Sequence, residues 1–275
     1  MTRTPWRLIL DQPASRGAWN MAVDEALLEA CGRGESLPTL RLYAWDPPCI
    51  TLGYAQPFSD VDLGRLQTLG WELVRRPTGG RAVLHTDELT YAVMGPLDEP
   101  RLAGTVLESY NRLAQALVES LRLINLSVQV NRQAVENARN TNPVCFEVPS
   151  TYEITVDGKK LVGSAQARRK DGVLQHGSLP LRGDLARIVE ALRFPDQAAR
   201  RQAAGRLLDH ATTVESALGQ AVSWEQAAQA IVTAFATSLE LEFQPADLTA
   251  REKARARQLV ELKYGIPDWT RRNQS

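Results

Sequence analysis

Cysteine, histidine and methionine each occur only three times in 275 residues. Cys31, Cys49 and Cys145 are too few, and odd in number, for a disulfide framework, and a reducing cytoplasmic setting fits that usage. His85, His176 and His210 lie far apart and never at ligand spacing with a cysteine, so no metal site is expected. An excess of one charge sign is also missing. Lys plus Arg is 32 and Asp plus Glu is 32, which leaves no general attraction for nucleic acid or an anionic membrane. No stretch of about 18 apolar residues occurs, so no membrane span is expected. Met1 to Leu10 holds Arg3 and Arg7 but no apolar run of about seven residues, so no secretory leader is expected. Internal repeats and Gly/Ser linkers are lacking too, which argues against an array of small domains.

What is present suits one large domain with a real core, since 44% of residues are hydrophobic and 23% charged. Asn20 to Cys31 reads as a helix, with Asn20 as N-cap, Asp24 and Glu25 in an early turn, and Gly32 as its stop. Leu40 to Trp45 and Cys49 to Tyr54 read as strands separated by Pro47-Pro48. Ser59-x-x-Asp62 opens a short helix with Leu63, Leu66 and Leu69 on one side. Trp71 to Arg75, Ala82 to His85 and Leu89 to Met94 are strand-like. Thr105-x-x-Glu108 is a capping box before a long amphipathic helix, and Leu126 to Val130 is a short strand. Tyr152 to Val156, Asp157-Gly158 and Lys160 to Ala167 form a hairpin signal. Beyond Arg182 the chain reads mostly helical, with capping boxes at Thr212-x-x-Glu215, Ser223-x-x-Gln226 and Thr249-x-x-Glu252. Strands early and helices late predict an α+β fold rather than repeated βαβ units.

Three segments carry the chemistry. Arg75-Arg76-Pro-Thr-Gly79-Gly80 can set guanidinium groups and backbone N–H donors around an anion or a polarised carbonyl. On the residues alone, a hairpin turn with solvated arginines explains it as well. Cys145 lies in the long irregular stretch Asn131 to Ser150, where a thiol can be reached, although an ordinary loop cysteine explains its placement as well, whereas Cys31 and Cys49 fall on apolar positions and read as core thiols. The hairpin returns Lys160 toward the end of the Cys145 segment, so a Cys–Lys pair needs no histidine. An exposed hairpin lysine remains the other reading of Lys160. Gly163 and Ala165 alternate on one strand face and leave room for an acyl chain, or equally for close packing. His85 and His176 fit hydrogen-bonded structural histidines better than general bases.

In chain order, Asn20 to Glu25, Leu40 to Pro48, Leu52-Gly53 with Gln56, Arg75-Arg76-x-x-Gly79-Gly80-x-Ala82-Val83-x-His85, Lys160-x-x-Gly163-Ser-Ala165 and His176-Gly177 resemble the biotin/lipoyl protein ligase and transferase superfamily. The resemblance spans about residues 17 to 180. It implies a mainly antiparallel sheet flanked by helices, like the cores of class II aminoacyl-tRNA synthetases and biotin ligases. The implied catalytic domain covers 33–245, with an N-terminal helix (1–32) packed on it and a helical C-terminal extension (246–275). The context Cys145-Phe-x-x-Pro149-Ser150-x-Tyr152 resembles the Bacillus-type octanoyl-[acyl-carrier-protein]:protein N-octanoyltransferases, in which the matching cysteine carries an acyl thioester and the matching lysine lowers its pKa.

That resemblance implies Cys145 as nucleophile and Lys160 as its cation. It also implies Arg75, Arg76, Gly79, Gly80, Ala82, His85, Gly163, Ala165 and His176 as substrate-binding residues, and no cofactor. The implied partners are octanoyl-acyl carrier protein and lipoyl-domain proteins such as glycine cleavage H protein and dehydrogenase E2 subunits, served by a monomer in the cytoplasm. Rival readings are an ATP-dependent lipoate ligase, an octanoyl amidotransferase working between lipoyl domains, and a non-catalytic acyl-binding module. Ligases of the superfamily usually have a third glycine at the place of Arg81, and a Gly-Arg-Asn-Asp type segment where Asn137-Ala-Arg-Asn140 stands here. Thr86 occupies the place of the superfamily's usual Asp, with Asp87 beside it as a substitute. If Lys160 sets the reactivity of Cys145, Lys160→Ala raises the thiol pKa. Alkylation-versus-pH curves of wild type and variant should then separate, and coincident curves would count against the pairing.

Overall fold

The computed structural model describes residues 3–131, 153–170 and 172–272. Among the described residues, eight strands form one sheet. Its strands are β1 (Thr4–Ser15), β2 (Thr39–Trp45), β6 (Glu88–Gly95), β7 (Gln129–Asn131), β8 (Glu153–Val156), β9 (Lys159–Arg169), β10 (Gly172–Pro180) and β11 (Leu241–Pro245), in the order β11-β1-β2-β6-β10-β9-β8-β7. Pairing is antiparallel from β2 through to β7 and parallel only at β1–β2 and β1–β11. A second sheet joins β4 (Glu72–Arg75), β3 (Cys49–Leu52) and β5 (Val83–His85) in that order.

Period-2 alternation sends successive side chains to opposite faces, so the main sheet separates two cores. On one face Trp6, Leu8, Leu40, Leu42, Tyr91 and Val93 meet Leu113, Leu117 and Leu121 of α3 (Val106–Leu123) and Phe235 of α6 (Trp224–Ser238). On the other, Ile9, Tyr43, Ala92, Met94 and Leu174 meet Met21, Leu27 and Leu28 of α1 (Gly17–Gly32) and Leu259 of α7 (Ala250–Leu259). The small sheet packs Ile50, Leu52 and Val83 on Leu66 of α2 (Leu63–Thr68), on the 3-10 turn Leu185–Ala191, and on Ala203 and Leu207 of α4 (Gln197–His210).

Several expectations hold. The capping boxes at Thr105/Glu108, Ser223/Gln226 and Thr249/Glu252 are all formed. The hairpin turns at Asp157 (φ 49°) and Gly158 (φ 77°), the left-handed pair that a two-residue connection demands. Cys31 and Cys49 are buried core thiols, and burial pushes Cys31 up to about 11. The Cys145 segment lies outside the described residues.

Other readings are corrected. The chain does not start with a helix laid on the domain: Thr4–Ser15 precedes α1 as strand β1, inside the main sheet. With α1 crossing to the parallel β2, this is one βαβ unit at the side of a mainly antiparallel sheet. The stretch beyond Arg182, read as mostly helical, also contains β11, which pairs with β1. The cap of the short helix is Asp62 and not Ser59, and only Leu66 of its three leucines is buried. Thr213 rather than Thr212 caps α5 (Val214–Leu218).

Asn20 is not an N-cap, because α1 begins three residues earlier at Gly17, and Asn20, Asp24 and Glu25 are buried inside it. One turn apart on the helix, Asn20 and Asp24 both meet Arg41, a fully buried residue of β2. Arg41 Nη1 donates to Asp24 Oδ1 at 2.7 Å and Nη2 donates to Asn20 Oδ1 at 2.8 Å, while Asp11 accepts from Nε at 3.0 Å. Burial disfavours the Asp24 carboxylate, but the His176 hydrogen bond and the Arg41 charge outweigh it and hold its pKa below the usual aspartate value.

Removing one partner of such a buried pair costs about 3–5 kcal/mol, so Asp24→Asn should lower urea stability at pH 7 by that order. A group with a depressed folded pKa stabilises the protein above its unfolded pKa of about 3.9, and that stability is lost as pH falls through the folded value. The gap between wild type and variant should therefore narrow in acid, and a gap independent of pH would contradict the ionic account.

Candidate active site

Between the main sheet, the small sheet and α1 lies a narrow cavity of about 50 Å³. Arg76, Gly80, His85, Gly163, Ala165 and His176 line it together, with Tyr43, Trp45, Thr51 and Thr90. Six of the expected binding residues thus meet, although they come from separate stretches of chain. The cross-strand register explains the meeting of β9 and β10, for Gly163 pairs with Ser178 and Ala165 with His176, which puts all four on one face.

Both histidines are buried and anchored by carboxylates. His176 Nδ1 lies 3.3 Å from Asp24 Oδ2, and its Nε2 lies 2.7 Å from Thr78 Oγ1. Burial lowers the His176 pKa, and the pull of Asp24 only partly offsets it, so the ring is neutral near pH 7. His85 Nδ1 lies 2.8 Å from Glu88 Oε1 and its Nε2 lies 2.9 Å from Thr51 Oγ1. The His85 ring stacks on Trp45 with centroids 4.0 Å apart.

Three expected residues do not line the cavity. Arg75 is fully buried and points away, donating to the carbonyls of Gly53 (2.7 Å), Gln56 (2.7 Å), Thr270 (2.9 Å) and Arg272 (3.0 Å). It ties the C-terminal helix α8 (Pro267–Arg271) to the loop after β3. Ala82 belongs to the small-sheet core, and Gly79 turns its carbonyl to the Arg76 guanidinium at 2.8 Å. Asp87, beside Thr86, pairs with Arg187 at 2.7 Å, and the carboxylate on His85 is that of Glu88.

Lys160 is buried, and its Nζ lies 3.0 Å from Glu153 Oε1. A β-bulge puts it there: Ile154 pairs with Val162 but Thr155 pairs with Lys160, so Leu161 is the extra residue. Leu161 and Val162 both reach the α3 core, while Lys160 shares the opposite face with Glu153 and Thr155. Without the bulge, strict alternation from Gly163 would turn Lys160 the other way.

Asp24, Glu88, Thr51, Thr78 and Trp45 were absent from the expected site. Asp24 carried a signal, a charged residue next to an apolar run, which is rare unless the charge is paired, whereas Glu88, between Asp87 and Leu89, carried none. Thr51 and Thr78 carried none.

Residues 16–236 match the lipoyl protein ligase A/B catalytic domain, and the chain belongs to that family. Curated relatives named octanoyltransferase LipM include those of Kyrpidia tusciae, 42% identical over 97% of this chain and 98% of the relative, and of Moorella thermoacetica, 42% identical over 99% and 100%. Among solved structures, a bipartite lipoate protein ligase of Thermoplasma acidophilum superposes with a TM-score of 0.79 at 26% identity, covering 98% of this chain and 96% of that one. A lipoate-protein ligase A bound with ATP gives 0.77 at 24% identity, which speaks for the fold alone.

Gly53 is the tightest glycine of the site, because a Cβ there would sit 1.9 Å from the carbonyl oxygen of Gly80. That atom is backbone, so Gly53→Ala must push the Gly79-Gly80 turn aside. We expect a loss of about 1–3 kcal/mol in thermal or chemical denaturation. Unchanged stability would mean that the turn is free to move.

Proposed function

We propose that this protein transfers an octanoyl group from octanoyl-acyl carrier protein to a lysine of a lipoyl domain through an acyl thioester on Cys145. The observation that carries the reading is the single cavity formed by Arg76, Gly80, His85, Gly163, Ala165 and His176, in a chain similar over nearly its whole length to octanoyltransferases. Gly80, Gly163 and Ala165 offer small walls for an acyl chain.

The Cys145 thiolate, favoured by the Lys160 cation, attacks the donor thioester and expels the phosphopantetheine thiolate, which takes a proton from Lys160 and leaves as the thiol. One thioester replaces another at nearly equal free energy, so no nucleotide is consumed. The ε-amine of the acceptor lysine then attacks the S-octanoyl enzyme, and amide formation drives the step. The acceptor amine's proton passes to Lys160 once that residue is neutral. Lys160 lies next to Glu153, the first described residue after the Cys145 segment, which supports this pairing. The same reading takes glycine cleavage H protein and dehydrogenase E2 subunits as acceptors, in the cytoplasm.

Mixing the protein with octanoyl-acyl carrier protein without ATP should add one octanoyl group, about 126 Da by intact mass, and an apo lipoyl domain should discharge it. Cys145→Ser should give no adduct. Modification that appears only with ATP and free octanoate would assign the chain to the ligases instead.

A further inference from the structure

The turn Arg76–Arg81 closes one side of the cavity, and two hydrogen-bonded chains hold it from opposite directions. One runs from Asp24 through His176 to Thr78. The other runs from Glu88 through His85 and Thr51 to Arg76, whose Nη1 lies 2.9 Å from Thr51 Oγ1. Arg76 then reaches the carbonyls of Gly79 at 2.8 Å and Arg81 at 2.7 Å, so the second chain ends on the turn's own backbone.

Donor and acceptor inventories fix the direction of both chains. A guanidinium only donates, so Thr51 Oγ1 accepts from Arg76, and among the described contacts His85 Nε2 is the acceptor in reach of its buried hydroxyl hydrogen. His85 must then carry its hydrogen on Nδ1, where it donates to Glu88. The ionised Asp24 only accepts, so His176 also carries its hydrogen on Nδ1 and leaves Nε2 to accept from the Thr78 hydroxyl. Every one of these side chains is buried. A hydrogen bond removed here leaves an orphaned polar atom that water cannot easily reach.

The geometry points to a pair of positioning relays: Asp24–His176–Thr78 and Glu88–His85–Thr51–Arg76 clamp the Arg76–Arg81 turn with both imidazoles as neutral Nδ1–H tautomers, and thereby set the length and width of the acyl cavity. The histidines neither attack nor exchange protons with substrate in this scheme. They hold the wall against which the octanoyl chain is measured. The inference rests on the acyl-transfer reading for its effect on substrate, but the tautomers stand on the hydrogen bonds alone.

Two measurements test it separately. In ¹⁵N-histidine NMR of the intact protein near pH 7, His85 and His176 should each show a pyrrole-type Nδ1 and a pyridine-type Nε2. His210, exposed on α4, serves as an internal reference. An Nε2–H tautomer or a doubly protonated ring at either buried position overturns the relay, whatever the enzyme does. In the second, Thr78→Val and Thr51→Val remove a hydroxyl at nearly constant shape, and Thr78→Ser restores one.

Each valine variant should raise KM for the octanoyl donor about tenfold while kcat changes less, and should flatten the preference for octanoyl over hexanoyl and decanoyl donors. Thr78→Ser should return both toward wild type. Folded valine variants with wild-type KM and chain-length preference would overturn the positioning role. A wild type that fails to form the S-octanoyl adduct would sink the acyl-transfer reading and leave the tautomers untouched.

Discussion

The buried ion pair between Arg41 and Asp24 is the interaction on which the rest of the site depends. Neither charge has access to water, so each is stable only because the other is there. The pair fixes α1 against β2, and its second carboxylate oxygen accepts from Tyr43 Oη at 2.9 Å and faces His176. One carboxylate therefore links the crossover helix, two strands and the cavity wall. A cluster so demanding tolerates little movement of α1, which suits a helix that must present the same face to a reaction site at every turnover.

The C-terminal elements close the other side of α1. Glu25, next to Asp24 in sequence but a hundred degrees around the helix, accepts from Lys263 Nζ at 2.8 Å and from Tyr264. Arg7 of β1 donates to Glu252 of α7 at 2.6 Å. Arg75 then binds the carbonyls of Thr270 and Arg272, and Trp269 Nε1 returns a hydrogen bond to Arg75 O at 2.8 Å. The two adjacent arginines thus divide the work. Arg75 secures the outside of the turn to the chain's far end, and Arg76 secures the inside to Thr51 and to the cavity.

Where local rules governed, the sequence was readable. Three of the four helices with a cap oxygen and Glu or Gln three residues later formed as written, Thr212-x-x-Glu215 giving way to a cap at Thr213, and the Asp157-Gly158 hairpin formed because two left-handed residues in succession suit little else. The missed strands β1 and β11 had no such punctuation. Trp6 and Leu8 alternate with Arg7, but Arg7 is buried by Glu252, some 245 positions away, so the local pattern looked too irregular for a strand. The same long-range pairing hid Asn20 and Asp24. Polar residues near a helix start read as caps until a buried arginine on a distant strand gives them another partner.

The sequence by itself determined the α+β class, the hairpin that carries Lys160, the burial of Cys31 and Cys49, and the family whose motifs recur in order. Those features rest on local propensity, spacing and residue chemistry, all of which act within a few positions along the chain. Only the tertiary structure decided that Arg75 serves the scaffold while Arg76 serves the cavity, that Glu88 rather than Asp87 anchors His85, and that a bulge turns Lys160 toward Glu153. Each of those choices flips on a one-residue change of direction. Strand alternation and side-chain reach make such a change invisible until the partner strands are in place.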